Sequence, residues 1–458
     1  MRHNDWGTRC LELALAAALM LALPLTGAAA ERVAEWNVTA VDATLMAGEN
    51  PTVQSRALAV IQAAVHDALN TIDRRFEPYA YHGEVDPDAS PDAAVSTAAH
   101  DALVGVIAVG MLSFAGFGSA TQQDAAAAFI DATYAADLGM MPESEAKTRG
   151  IAVGQAAAAA ILAERREDGA TTLVPYTPGT EPGDWQPTPN PLSADPPGAA
   201  DLLPAVLPGW GHVVPFVLPS SGRFPPVDPP ALTSEDYARD YQEVQAIGAK
   251  VSAVRTADQE AIARFWFGSS PVGWSQIART VAADQGLDAW EQARVLALVN
   301  LAMADGVIAG FDTKYRVNRW RPITALRAGE TDGNEETVAD PTWESLLNTP
   351  AHPDYVSTHA VQGGAASVVL CQVFGTDQVD FTATSGAPFA GLMRAFSYFS
   401  EAAQENADSR MYAGVHFRSA TTNGLTLGRQ IGRFIVRHAL HPITEEDHAD
   451  AHGDSARR

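Results

Sequence analysis

Apolar side chains recur along this chain at steps of three and four residues. In "SRALAVIQAAVHDALNTID" (55–73), Leu58, Ile61, Val65, Leu69 and Ile72 form one stripe of a helix. Ala-rich stretches at 92–110, 121–137 and 145–166 are strong helix formers. Thr256 and Gln259 form a capping box before "ADQEAIARFWFG", which ends at a glycine. "DAWEQARVLALVNLAMADGVIAGFDTKY" (288–315) is apolar almost all round, which predicts a central, buried helix. Further helices are expected over 358–374, 385–403 and 420–439. No convincing strand alternation and no fixed-period repeat is present, so the expected fold class is all-α.

Residues 175–230 break the period. They hold 16 of the 29 prolines, with Trp185, Trp210, Phe216 and Phe224 among them. A flexible linker would also be rich in proline, but it would carry fewer aromatics. The reading adopted is an ordered excursion that packs over the helices and helps wall a pocket.

The first thirty residues add an address. "MRHNDWGTRC" and the apolar "LELALAAALMLALPLTGAAA" have the layout of a secretory signal with cleavage after Ala30. The expected product is residues 31–458, a single helical domain in the periplasm or outside the cell. No later stretch is as long and uninterrupted as a membrane span requires, so no membrane is expected after cleavage. Beyond Cys10 only Cys371 remains, which excludes an intrachain disulfide and a Cys₄ or Cys₂His₂ zinc site. A formal net charge of −25 argues against nucleic acid as a partner.

Against that charge, "KYRVNRWRP" (314–322) stands out, with Lys314, Arg316, Arg319 and Arg321 close together. Lys314 and Arg321 are seven apart and would share a helix face, and Pro322 should push Arg321 into extended geometry. Two cations held in a dry place repel unless an anion lies between them; the bland alternative is a solvated basic helix end. In "AHPDYVSTHAVQGGAASVVLCQVFG" (351–375), Ser357 is a natural N-cap and Gly375 a natural stop. His359 falls in the first turn, where free N–H groups gather an anion. In "ADSRMYAGVHFRSATTNGLTLGRQIG" (407–432), Arg410 and His416 are six apart around Gly414. His66–Asp67 and His100–Asp101 read as structural pairs, and "TDGNEETVAD" (331–340) as an acidic turn.

Lys-x₆-Arg-Pro, Ser-x-His and Ser-Arg-x₅-His, in that order within residues 314–416, together resemble the vanadium-dependent haloperoxidase and type 2 phosphatidic acid phosphatase superfamily. The resemblance implies two four-helix-bundle-like halves, with the active-site motifs in 305–420. It implies that Lys314, Arg321, Ser357, Arg410 and the Thr358 N–H hold the oxygens of vanadate or phosphate. His416 would ligate vanadium or attack phosphorus, and His359 would be the acid–base residue. Lys314 would also polarise the peroxide oxygen that a halide attacks. The implied partners are hydrogen peroxide, halide and a small organic substrate. His352, where the family carries His in brominating members and an aromatic ring in chlorinating ones, implies oxidation of bromide and iodide. Phe311 complicates this by supplying an aromatic wall of its own.

The sequence departs from the family pattern at three positions. Val356 stands for Pro, Thr358 for Gly, and Ala420 for an Asp that would orient His416. The last leans toward vanadate, since a nucleophilic His needs its activating partner more than a ligand does. Two other functions remain open. One is an exported phosphatase with a phospho-His intermediate. The other is an oxyanion binder without catalysis, which would have no use for an acid–base residue at 359.

Overall fold

The computed structural model describes residues 27–108, 118–189 and 202–443. Thirteen α-helices are found among them. The N-terminal group is α1 (Gly27–Met46), α2 (Pro51–Asn70), α3 (Pro91–Ala108), α4 (Ala120–Met140) and α5 (Glu145–Glu164). After the proline-rich stretch come α6 (Glu235–Ile247), α7 (Ala257–Phe265), α8 (Ser270–Asp284), α9 (Ala289–Val317) and the short α10 (Pro322–Arg327). The last three are α11 (Thr358–Phe374), α12 (Phe399–Tyr412) and α13 (Arg418–His438). The signal-like segment lies almost wholly outside the described residues, and its last four positions, 27–30, begin α1.

Helix α9 is the axis of the molecule. Asp288 caps its start in a capping box with Glu291, and Asn318 ends it in the left-handed conformation at φ 56°. Between those ends it is long and apolar enough to cross a membrane, yet 94% of its most apolar window is buried within the protein. It packs on α2 on one side and on α11 on the other, and so joins the two groups of helices. Helices α11 and α13 approach closely because glycines face the crossing. A Cβ on Gly428 would lie 2.0 Å from the Val361 carbonyl oxygen, and one on Gly424 2.7 Å from that of Ser357.

Two expectations are corrected here. The segment expected as a helix over 385–403 is a β-hairpin followed by α12. Strands Gln378–Thr384 and Met393–Tyr398 pair antiparallel, with Phe381 opposite Phe396. Gly386, Pro388 and Gly391 interrupt any helix there. The strands bury Phe381, Ala383 and Phe396 on one face, an alternation too short to stand out from the sequence. The second correction concerns Lys314 and Arg321. Helix α9 stops at Val317, so they share no helix face; Arg321 is extended (φ −83°, ψ 157°) at the cap of α10, as a residue before proline should be.

The described parts of the proline-rich excursion are packed. Trp185 and Trp210 are buried, and the Trp185 N–H donates to the Asn318 carbonyl at 2.8 Å. The N–H groups of Phe216, Val217 and Leu218 donate to the buried Asp305 carboxylate on α9 at 2.5, 2.9 and 2.8 Å. The Val206 N–H bonds the Ala351 carbonyl at 2.8 Å, so the excursion also braces the loop that carries His352.

Candidate active site

Three stretches of sequence, 314–321, 352–359 and 410–416, meet at one end of α9 and α11. Lys314 comes from the last turn of α9, Arg321 from the cap of α10, and Arg410 from the last turn of α12. His352, Asp354 and Ser357 lie on the loop entering α11, Thr358 and His359 in its first turn. His416 sits between α12 and α13, past Gly414, whose φ of 77° needs a glycine.

The cations are out of water. Lys314 and Arg321 are 0% exposed and Arg410 is 2% exposed. Lys314 Nζ donates to the carbonyls of Pro353 and Asp354 at 2.8 and 2.9 Å. Arg321 donates through Nε to the His352 carbonyl and through Nη1 to that of Val415, both at 2.7 Å. Its Nη1 also lies 3.0 Å from His416 Nε2. Burial first pulls Arg321 down to about 10 and Arg410 to about 9, with Arg321 adding to the effect on Arg410. Lys314 is held well below its ordinary value, by burial and then by Arg321.

Buried donors here lack partners. Arg410 Nε and Nη1 and the Ser357 hydroxyl make no hydrogen bond. Ser357 occupies the cap position of α11 but does not cap it, contrary to the natural-cap expectation. Unpaired buried polar groups are costly, and three of them, two on Arg410 itself and one on Ser357, beside Lys314 and Arg321 are what an oxyanion would satisfy. The donor set is therefore suited to a tetrahedral dianion such as vanadate or phosphate.

Each imidazole is neutral and poised differently. His359 lies 3.2 Å from the Gly268 carbonyl through Nε2, which fixes a proton there and leaves Nδ1 able to accept one. Burial first, then Arg410, keep its pKa well below the usual value. His352 Nδ1 is 2.9 Å from Arg321 Nη2, and its ring is 5.2 Å from Phe311. His416 Nδ1 lies 2.8 Å from Asp354 Oδ1, although the pair is not aligned as a hydrogen bond. Burial and Arg321 hold His416 well below the imidazole range.

Asp354 was not singled out by the sequence reading. It is 1% exposed, and burial raises its carboxyl to about 7 against the pull of Arg321 and Lys314. The signal was its place in "HPDYVSTH", the sole acid in a stretch otherwise equipped for an anion. Thr358, which stands where the family carries Gly, is accommodated by a neighbouring glycine. Its Cγ2 packs on α9 where Gly310 leaves room, 3.1 Å from where a Cβ would stand. Arg316 and Arg319 face elsewhere, Arg316 near Asp312 and Arg319 on the Pro230 carbonyl at 2.9 Å.

The other titratable pairs serve the fold. His66 Nε2 meets the Glu77 carbonyl at 3.1 Å, and Asp67 accepts from the N–H groups of Tyr79, Ala80 and Tyr81. His100 lies between Asp101 and Asp131. In the acidic turn Asp332 accepts from the Thr337 hydroxyl.

Residues 294–445 match a family model described as the VCPO second helical-bundle domain. The vanadium chloroperoxidase of Curvularia inaequalis is 29% identical over 172 residues, covering 30% of this chain and 28% of that protein. The match thus spans little more than a quarter of that relative's length. The fold is similar to that of a bacterial vanadium-dependent iodoperoxidase, with a TM-score of 0.74 and 26% identity over 91% of this chain and 98% of that one. A bacterial vanadium-dependent chloroperoxidase in its holo form superposes with a TM-score of 0.66 and 20% identity, covering 86% of this chain and 94% of that one.

Proposed function

We propose that this chain, which belongs to the vanadium-dependent haloperoxidase and type 2 phosphatidic acid phosphatase superfamily, is an exported haloperoxidase that holds vanadate and oxidises bromide and iodide with hydrogen peroxide. The observation that carries the reading is the set of buried, unpartnered donors, Ser357 Oγ and Arg410 Nε and Nη1, beside Lys314 and Arg321. The names of the relatives supply the vanadium.

Lys314, Arg321, Arg410, Ser357 and the Thr358 N–H would hold the oxygens, and His416 Nε2 would ligate the metal. Bound there, vanadate would supply a Lewis-acidic centre at which peroxide is activated toward a halide. His359 takes and returns protons at Nδ1 while Nε2 stays fixed on Gly268. Lys314 adds a point charge that draws electron density from an oxygen beside it. Burial keeps bulk water from competing with these donors.

A phosphatase reading keeps one specific support. Asp354 beside His416 would also activate a nucleophilic histidine, so the lean toward vanadate drawn from Ala420 lapses. Purified apo-protein should gain bromide and iodide oxidation on adding orthovanadate, and the same addition should inhibit any phosphate-ester hydrolysis. His416→Ala should lose vanadate on dialysis, whereas His359→Ala should retain it and lose turnover. Phosphate-ester hydrolysis without any vanadate-dependent oxidation would replace this reading with the phosphatase.

A further inference from the structure

A carboxylate beside an anion site weakens anion binding unless it does something else. Asp354 is such a group, buried beside Arg321, Lys314 and Arg319. Its position is fixed through the backbone: its N–H donates to the Arg319 carbonyl at 2.8 Å, and its own carbonyl accepts from Lys314 Nζ at 2.9 Å. The side chain's Oδ1 makes no hydrogen bond of its own to the loop. Arg321, the nearest cationic partner, is 4.0 Å away, too far for a good ion pair. His416 Nδ1 is much closer, at 2.8 Å, a close contact that is not aligned as a hydrogen bond.

Two contacts agree on one tautomer of His416. Arg321 Nη1 has only protons to offer and lies nearer to Nε2, at 3.0 Å, than to Nδ1, at 3.5 Å, so Nε2 is the nitrogen that presents its lone pair. The ring proton of the neutral imidazole is then on Nδ1, the nitrogen that faces Asp354. Ala420, buried one turn into α13, has no polar side-chain atom to share the task.

We infer that Asp354 is the positioning residue of His416, its carboxylate attracting Nδ1–H across this close contact so that the Nε2 lone pair is turned toward the cage and can ligate vanadium. The inference rests on the vanadate reading for its ligand, but the tautomer it requires is a property of the apo-protein. Asp354 acts through His416 and touches no reacting atom. The chain thus supplies from the α11 entry loop a carboxylate that α13 does not carry.

The test compares orthovanadate with orthophosphate, because phosphate is held by the cations and N–H groups without a bond to His416. Calorimetric titration of the apo-protein would measure both anions on wild type, Asp354→Asn, Asp354→Ala and the pair Asp354→Ala/Ala420→Asp. Asp354→Ala should weaken vanadate roughly ten- to hundredfold, the usual cost of losing the partner of a ligating histidine. Phosphate should bind it as well as wild type or more tightly, since the cage has lost a negative charge. Asp354→Asn keeps an acceptor oxygen and should retain most of the vanadate affinity, and Ala420→Asp should restore part of what Asp354→Ala loses.

If both anions tighten together in Asp354→Ala, the carboxylate is only a counter-charge and the inference fails. Parallel weakening of both means that it only shapes the loop, and overturns it equally. Wild type that binds no vanadate refutes the cofactor reading instead. The ¹⁵N shifts of His416 then decide the matter alone: an Nδ1–H tautomer in wild type that is lost in Asp354→Ala supports the inference, and an Nε2–H tautomer in wild type ends it.

Discussion

His352 meets a guanidinium at one nitrogen and an aromatic ring across its face. Arg321 Nη2 is 2.9 Å from Nδ1, and Phe311 is 5.2 Å away centre to centre. Burial first, with Lys314 and Arg321 adding to it, holds its pKa well below the usual value, so the neutral ring keeps Nε2–H as a donor. His352→Phe removes that donor and dries the wall beside Lys314. The ratio of chloride to bromide oxidation, measured at acidic pH with a dione acceptor, should rise; an unchanged ratio would remove His352 from halide selection. A different histidine contributes to the acid sensitivity of the fold. Burial lowers His66 from 6.5 to about 4, partly offset by its bond to the Glu77 carbonyl. Its contribution is fully present above pH 6.5 and is lost as pH falls from 6.5 toward 4, because the unfolded chain takes up the proton first. The whole loss is roughly 3 kcal/mol at about 1.4 kcal/mol per pH unit. Urea midpoints of His66→Gln should therefore fall less steeply than those of wild type across that window.

Asp305 on α9 shows how one side chain holds an element. Three successive N–H groups of the excursion end on its carboxylate, which burial raises to about 6 despite them. Asp305→Ala would strand three buried donors and should cost on the order of 3 kcal/mol or more. Asp305→Asn keeps one acceptor and should cost less. Chemical denaturation would give both values, and limited proteolysis should cut Asp305→Ala between 206 and 230 under conditions that spare wild type. The crossing of α11 and α13 is as exacting. Gly424 and Gly428 are one turn apart, and each lets a carbonyl of α11 or its cap approach more closely than any Cβ allows. That proximity brings the end of α13 near Ser357, whose N–H bonds the Ala420 carbonyl at 3.0 Å.

The whole molecule repels what its site collects. A net charge of −25 surrounds a cage of Lys314, Arg321 and Arg410. An incoming oxyanion or halide climbs that potential before it reaches the buried cations, and salt lowers the climb more than it weakens the final contacts. The association rate of orthovanadate with apo-protein should rise a few-fold between about 10 and 150 mM ionic strength, over which the Debye length shortens from about 30 to 8 Å. Stopped-flow measurement would show it. A rate that falls with salt would mean that a local positive funnel outweighs the overall charge.

Much of this protein is local and therefore legible. The stripe from Leu58 to Leu69 is a helix, though α2 ends at Asn70 and leaves Ile72 beyond it; the Thr256–Gln259 box caps a real helix, and α11 runs from Thr358 to Phe374 as its flanking Ser357 and Gly375 imply. Each depends on residues within a few positions of one another, where spacing fixes geometry. Lys314, Arg321, Ser357, His359, Arg410 and His416 are the residues of the joint motif, while the seven-residue spacing of Lys314 and Arg321 implies a shared helix face that does not exist. Tertiary structure alone decided the rest. Whether 378–398 forms a hairpin depends on the core that receives Phe381 and Phe396. Whether Ser357 caps its helix or stays unpartnered depends on what faces it. The partner of His416 is 62 positions upstream, at Asp354, because packing and not spacing places a carboxylate against a ring.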